Sequence, residues 1–180
     1  MVRARQQLVT VVPVTLGIIV LLLYLNFRRF SEVFIIMGTL PLALTGGFWL
    51  LYLLGYNLSV AVGVGFIALA GVAVEIGVIM LVYLNQALQR STQQAGREPG
   101  RADIRQAVID GALLRVRPVM MTVSTIVAGL LPIMLGSGTG SEVMRRIAAP
   151  MVGGMISATL LTLVVIPAVF LLWKQRSVSN

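Results

Sequence analysis

The sequence has no cysteine and no histidine among its 180 residues. Without thiols there is no disulfide framework, and without either residue type no Cys/His metal site can form, which removes the usual zinc chemistries. Charge is also scarce: Asp, Glu, Lys and Arg make up 11% of the chain, against 58% hydrophobic residues and a mean hydropathy of +0.96. A soluble domain of this length leaves roughly a third of its unfolded surface in water after folding, too much for so apolar a chain. The composition is that of a membrane protein, in which lipid covers the remainder.

The net charge of +8 raises the question of nucleic acid. A nucleic-acid reader gathers Lys and Arg on one face, often with interleaved aromatic residues. Here the basic residues fall between apolar runs. No nucleic-acid partner is expected. The glycine-rich stretch "GSGTGSE" at 136–142 lacks the G-K-[ST] ending of a phosphate cradle. No catalytic constellation and no cofactor motif emerges, and the expectation is not an enzyme.

Five runs approach the roughly 20 apolar residues that a bilayer crossing requires: 8–27, 33–54, 60–84, 119–135 and 147–173. Short polar links, "RRFSE" (28–32), "GYNLS" (55–59) and "GSGTGSEVMRR" (136–146), join most of them. The exception is the long link between the third and fourth runs. Its middle, "STQQAGREPG", has turn composition. Ile104, Ala107, Val108, Gly111 and Ala112 then recur at helical spacing, with Arg101, Asp103, Arg105 and Asp110 elsewhere. The pattern predicts an amphipathic helix lying on the membrane surface, with a solvated helical hairpin arm as the alternative. The fold class is therefore an all-α integral membrane bundle of five transmembrane helices plus a cytoplasmic amphipathic helix. It divides as 1–85 (first three spans), 86–118 (linker) and 119–180 (last two spans and tail).

Lys and Arg set orientation, because cytoplasmic loops collect them. Alternating spans put Arg28, Arg29, Arg90, Arg97, Arg101, Arg105, Arg115, Arg117, Lys174 and Arg176 on one side, and Arg3, Arg5, Arg145 and Arg146 on the other. The N-terminus is thus expected outside and the C-terminus in the cytoplasm. An N-out first helix directly after Met1 is natural when an external segment precedes it, so the chain is expected to be the end of a longer protein.

The third run, "FIALAGVAVEIGVIMLVYL" (66–84), contains one carboxylate, Glu75. An acid near mid-span costs about 3 kcal/mol on insertion scales. Stepping back along the helix from Glu75 meets Gly71, Ala68, Gly65 and Ala61, a stripe of small residues of the kind that lets helices approach closely. Glu75 is expected to face neighbouring helices and to serve as a proton or ion site. The alternative is an acid that ties two helices together and never titrates. Ala149, Gly153 and Ser157 form a second small stripe, which indicates packing. Of the nine methionines most are expected to fill the core. Met144 differs, because it follows the glycine-rich outer loop beside Glu142, Arg145 and Arg146, where a thioether could hold a soft monovalent cation such as Cu(I) or Ag(I) if another chain segment supplied further sulfurs.

Four stretches together, the Glu75 segment, "RVRPVMMTV" (115–123), "AGLLPIMLGSGTGSEVM" (128–144) and "RIAAPMVGGMISATLLTLVVIPAVFLLW" (146–173), resemble the C-terminal membrane part of resistance-nodulation-division efflux pumps. Within that family the Glu75 segment and "GSEVM" resemble the heavy-metal branch of the CusA type, exporters of copper and silver. The resemblance covers nearly the whole chain, which would match the eighth to twelfth helices of a twelve-helix protomer. It implies a proton-driven antiporter of the bacterial inner membrane, a homotrimer joined to a periplasmic adaptor and an outer-membrane channel. Carried over by position, it implies a proton relay through Glu75, Arg115 and Thr122, working with an acid that the rest of the protomer would supply, and a metal contact at Met144. One position departs: the copper and silver pumps carry a lysine directly after the proline of R-x-R-P, where this chain has Val119. A multidrug pump of the same superfamily, whose matching helix usually bears Lys at position 75, and a non-transporting membrane module are the rival readings.

Overall fold

The computed structural model describes residues 2–96 and 100–178. Arg97, counted above for orientation, lies outside the described residues, as does Met1. The described chain is helical with no strand: α1 (Val2–Phe27), α2 (Phe30–Leu54), α3 (Val60–Ala95), α4 (Arg101–Leu135), α5 (Ser141–Leu160), a π-helical turn (Leu161–Val165) and α6 (Ile166–Val178). Five stretches are long and apolar enough to cross a membrane, with α5, the π turn and α6 together making the fifth. The fold class expected from the sequence holds.

The breaks between helices have local causes. Arg28 takes a left-handed backbone conformation (φ 52°) and separates α1 from α2. Gly55 closes α2 the same way (φ 66°), its N–H returning to the last turn. Ser59 then caps α3 by accepting from the Val62 N–H at 3.4 Å. At the start of α4 Asp103 accepts from the Gly100 N–H at 3.0 Å. Pro167 has no N–H to offer the carbonyl four residues back, and the π turn precedes it directly: the Ile166 N–H reaches five residues back to Leu161.

The amphipathic segment is helical, but it does not lie apart on a membrane surface. It continues without interruption into the fourth span as one helix, α4, and α3 runs on past its apolar stretch to Ala95. Ile104 and Val108 are buried in the same cluster as Leu81, Leu84 and Phe170. Gly111 sits against Tyr83, Leu84 and Ala87. The apolar face is therefore covered by protein, and the antiparallel α3–α4 pair packs there against the ends of α1, α2 and α6.

The tightest seam joins α2 to α5. Gly46 and Gly153 meet backbone to backbone, and Pro150 closes on Gly47. The Ser157 hydroxyl donates to the Ala43 carbonyl at 2.6 Å across this seam. α1 sits at the edge, packed chiefly on α2, with most of its apolar side chains exposed.

Candidate functional site

The buried face of α3 runs through Val62, Leu69, Ala73, Ile76, Met80 and Leu84 at helical spacing. Glu75 lies on the opposite, exposed stripe with Val64, Ile67 and Gly71. Among the described residues it has no hydrogen bond and no ion pair. The small-residue stripe is accordingly divided. Gly65 is buried against the Ile147 carbonyl and the Pro150 ring, Ala68 is half-buried, and Gly71 has open space beside it. The expectation that Glu75 packs against neighbouring helices is not met within this chain. At roughly 100° per residue, the ten positions from Gly65 to Glu75 place the acid about 80° round the helix from the packed glycine.

Arg115 is half-buried on α4, its guanidinium carbon 4.8 Å from the centroid of the Tyr83 ring. The cation–π contact holds the side chain, yet its Nε is buried with no hydrogen-bond partner among the described residues. Tyr83 is eight residues beyond Glu75, about 12 Å of helical rise, so Arg115 sits well to one side of the acid. Thr122 is exposed, and its hydroxyl donates to the Pro118 carbonyl at 3.0 Å, one turn back within α4. Gly111 lies level with residues 83–87, and Ile76 clusters with Val119 and Val123. The antiparallel register therefore sets Glu75 and Thr122 at similar depth, both on open surface and not in contact. Val119, standing where a lysine is expected, is buried in that cluster and carries no charge to the acid.

Met144 is exposed in the first turn of α5. Its neighbours fix the loop: Arg145 donates to the Gly136 carbonyl, with Nε at 2.9 Å, and Arg146 lies over the Tyr56 ring at 5.9 Å. Ile147, one turn on, touches Gly65, ten residues from Glu75. Met144 and Glu75 therefore belong to different depths of the bundle. No group of three His, Cys, Asp or Glu suited to a metal occurs among the described residues. Gly153 is buried between α5 and α2 as its stripe predicts, with Ala149 fully buried beside it.

One constellation escaped the sequence reading. Glu32, assigned there to a polar link, lies inside the first turn of α2 and is 2% exposed. Its Oε2 accepts from Asn85 Nδ2 on α3 at 3.1 Å. It lines a cleft of about 520 Å³ together with Arg29, Asn85, Gln89 and Lys174. The available signal was positional: Glu32, Asn85 and Lys174 each stand at the end of an apolar run, and alternating spans bring those ends together.

Comparison with known proteins bears on what these residues serve. The AcrB/AcrD/AcrF family model matches residues 1–174. The putative cation efflux system protein SilA of Salmonella typhimurium and the cation efflux system protein CusA of Escherichia coli K12 are each 53% identical over 97% of this chain. The cobalt-zinc-cadmium resistance protein CzcA of Cupriavidus metallidurans is 38% identical over 96%. A crystal structure of a heavy metal efflux pump superposes with a TM-score of 0.79 at 39% identity, covering 94% of this chain and 16% of that one. The chain spans 17% of the length of SilA and CusA. It belongs to the AcrB/AcrD/AcrF family, and its similarity lies with that family's heavy-metal efflux pumps.

Proposed function

We propose that this chain works as the proton-coupling helices of a heavy-metal cation exporter, with Glu75 carrying the proton. The observation that carries the reading is the position of Glu75: a carboxylate at mid-span on an open helix face, without a partner among the described residues. An acid exposed to acyl chains is costly, so further helices are needed to cover it and supply its counter-group. Thr122 at the same depth and Arg115 further along the α3–α4 seam are the groups of this chain placed to join such a relay. Arg115 Nε, buried and unpaired, has hydrogen-bonding capacity to spare. Protonation would remove the charge on Glu75, change its preference between a polar and an apolar neighbour, and shift α3 against the covering helices.

The identity with SilA and CusA supports Cu(I) or Ag(I) as the cargo, with Met144 a soft ligand completed by sulfurs from elsewhere. The working unit would be a homotrimer in the bacterial inner membrane, joined to a periplasmic adaptor and an outer-membrane channel. The distribution of Lys and Arg supports a periplasmic N-terminus and a cytoplasmic C-terminus.

The test places these residues in the full-length pump. Glu75→Gln should abolish silver and copper resistance and metal-driven proton flux in proteoliposomes while leaving trimer assembly intact. Undiminished proton-coupled transport by that variant would sink the proposal.

A further inference from the structure

The cleft around Glu32 has a composition that the proton-coupling reading does not use. It lies where apolar runs end: α1 closes at Phe27 after Asn26, the apolar part of α3 ends at Asn85, and Lys174 follows Trp173. Helix ends of this kind mark the depth of lipid headgroups, where an aromatic residue followed by a lysine is a common anchor. Phe27 and Leu88 give the cleft an apolar edge beside its polar floor.

Two cations face into it without forming an ion pair among the described residues. Arg29 is exposed on the α1–α2 link. Lys174 Nζ rests 4.7 Å from the Trp173 ring centroid and 5.6 Å from that of Phe170, held by aromatic faces rather than by a carboxylate. The floor is the Glu32 carboxylate, buried and accepting one hydrogen bond, from Asn85, among the described residues. An ionised carboxylate has about four acceptor positions, so most of its capacity is unused. The cleft thus presents two cations at its mouth and a buried carboxylate with acceptor positions to spare, in a volume of the size that small ligands occupy.

We propose that this cleft binds the headgroup of a phospholipid bearing a primary ammonium, the phosphate meeting Arg29 and Lys174 and the ammonium reaching Glu32. A phosphodiester is an acceptor for both cations, and an ammonium has three donors for the carboxylate and the side-chain amide oxygens of Asn85 and Gln89. A quaternary choline headgroup has no N–H to give, and a glycerol headgroup brings no cation to the buried acid. The inference stands on the Glu32 cleft alone and is independent of Glu75.

The experiment is native mass spectrometry of the full 180-residue chain in detergent, titrated with phosphatidylethanolamine, phosphatidylcholine and phosphatidylglycerol of matched acyl chains. Phosphatidylethanolamine should be retained roughly tenfold more tightly than phosphatidylcholine. Glu32→Gln should erase the preference for phosphatidylethanolamine over phosphatidylglycerol. Arg29→Gln, at an exposed side chain, and Lys174→Gln, at a half-buried one, should weaken both lipids. Free phosphoethanolamine separates the sources: competition with retained lipid supports a headgroup site, and binding of the free compound without lipid retention supports the same chemistry for a soluble ligand. Equal retention of all three lipids, or retention indifferent to the three substitutions, overturns the proposal.

Discussion

The α2–α5 seam and the open side of the α3–α4 pair are built from similar small residues and behave in opposite ways. On the first, Gly46, Gly47 and Gly153 bring α2 and α5 to backbone contact, and Gly154 beside them receives the Leu69 side chain of α3. On the second, Gly71 and Gly129 have nothing within 4 Å, and Glu75 and Thr122 look outward. A small residue is consumed by packing in one place and leaves room in the other. The lesson is that glycine at a helix surface permits an approach but does not specify the partner. The seam is closed by packing within the chain, and the other face is left open by it.

Substitution distinguishes the two most sharply at glycine. A Cβ built on Gly153 collides with the Gly46 carbonyl and comes within 2.6 Å of Leu50 Cβ, and backbone cannot step aside as a side chain can. Gly153→Leu should therefore cost about 3 kcal/mol, the upper part of the usual overpacking range, measured as loss of helicity in a denaturant titration from detergent. Gly71→Ala should go the other way. Its Cβ meets open space, and removing glycine from a helix interior is worth up to about 0.8 kcal/mol of stabilisation. Equal losses from both substitutions would show that the two faces are equally packed. In the full-length pump, where a covering helix would fill that space, the gain at Gly71 should vanish.

Ser157→Ala sharpens the same comparison by a smaller step. It removes the hydroxyl that reaches from α5 to the Ala43 carbonyl at 2.6 Å. Hydrogen bonds between helices in a membrane average about 0.6 kcal/mol, so a loss near that size is expected in the same titration. The Ser157 hydroxyl also bonds the Gly154 carbonyl at 2.9 Å within its own helix, which limits what the cross-seam bond can add.

How far the residues alone could carry this picture depends on range. The five spans were legible because a run of apolar residues is a local signal that no tertiary contact can imitate. The face formed by Ile104, Ala107, Val108 and Gly111 was equally legible, but periodicity reveals a face and not its cover, and protein covers it where membrane was expected. Glu75 stood out as an isolated acid in an apolar run. Glu32 did not, because it follows two arginines and reads as part of a polar link; its burial comes from Asn85, 53 positions away, and from the end of α6. The stripe through Gly65 and Gly71 was read as one surface, whereas helical drift turns its two ends toward different surroundings.

Thr122 gives the smallest expected effect on folding and the most selective effect on function. Its hydroxyl returns to the Pro118 carbonyl one turn back and reaches no other helix. Thr122→Val keeps the branched shape and deletes only that local bond, so stability should change by no more than about 0.5 kcal/mol. If the open face is a place where protons move, the same substitution in the full-length pump should slow metal-coupled proton flux several-fold, and Thr122→Ser, which restores a hydroxyl, should recover it. A Thr122→Val pump with unaltered flux would confine the relay to Glu75 and Arg115. Parallel losses of folding and flux would instead mean that Thr122 is packed in the complete protein, and that its exposure belongs only to a chain whose covering helices are elsewhere.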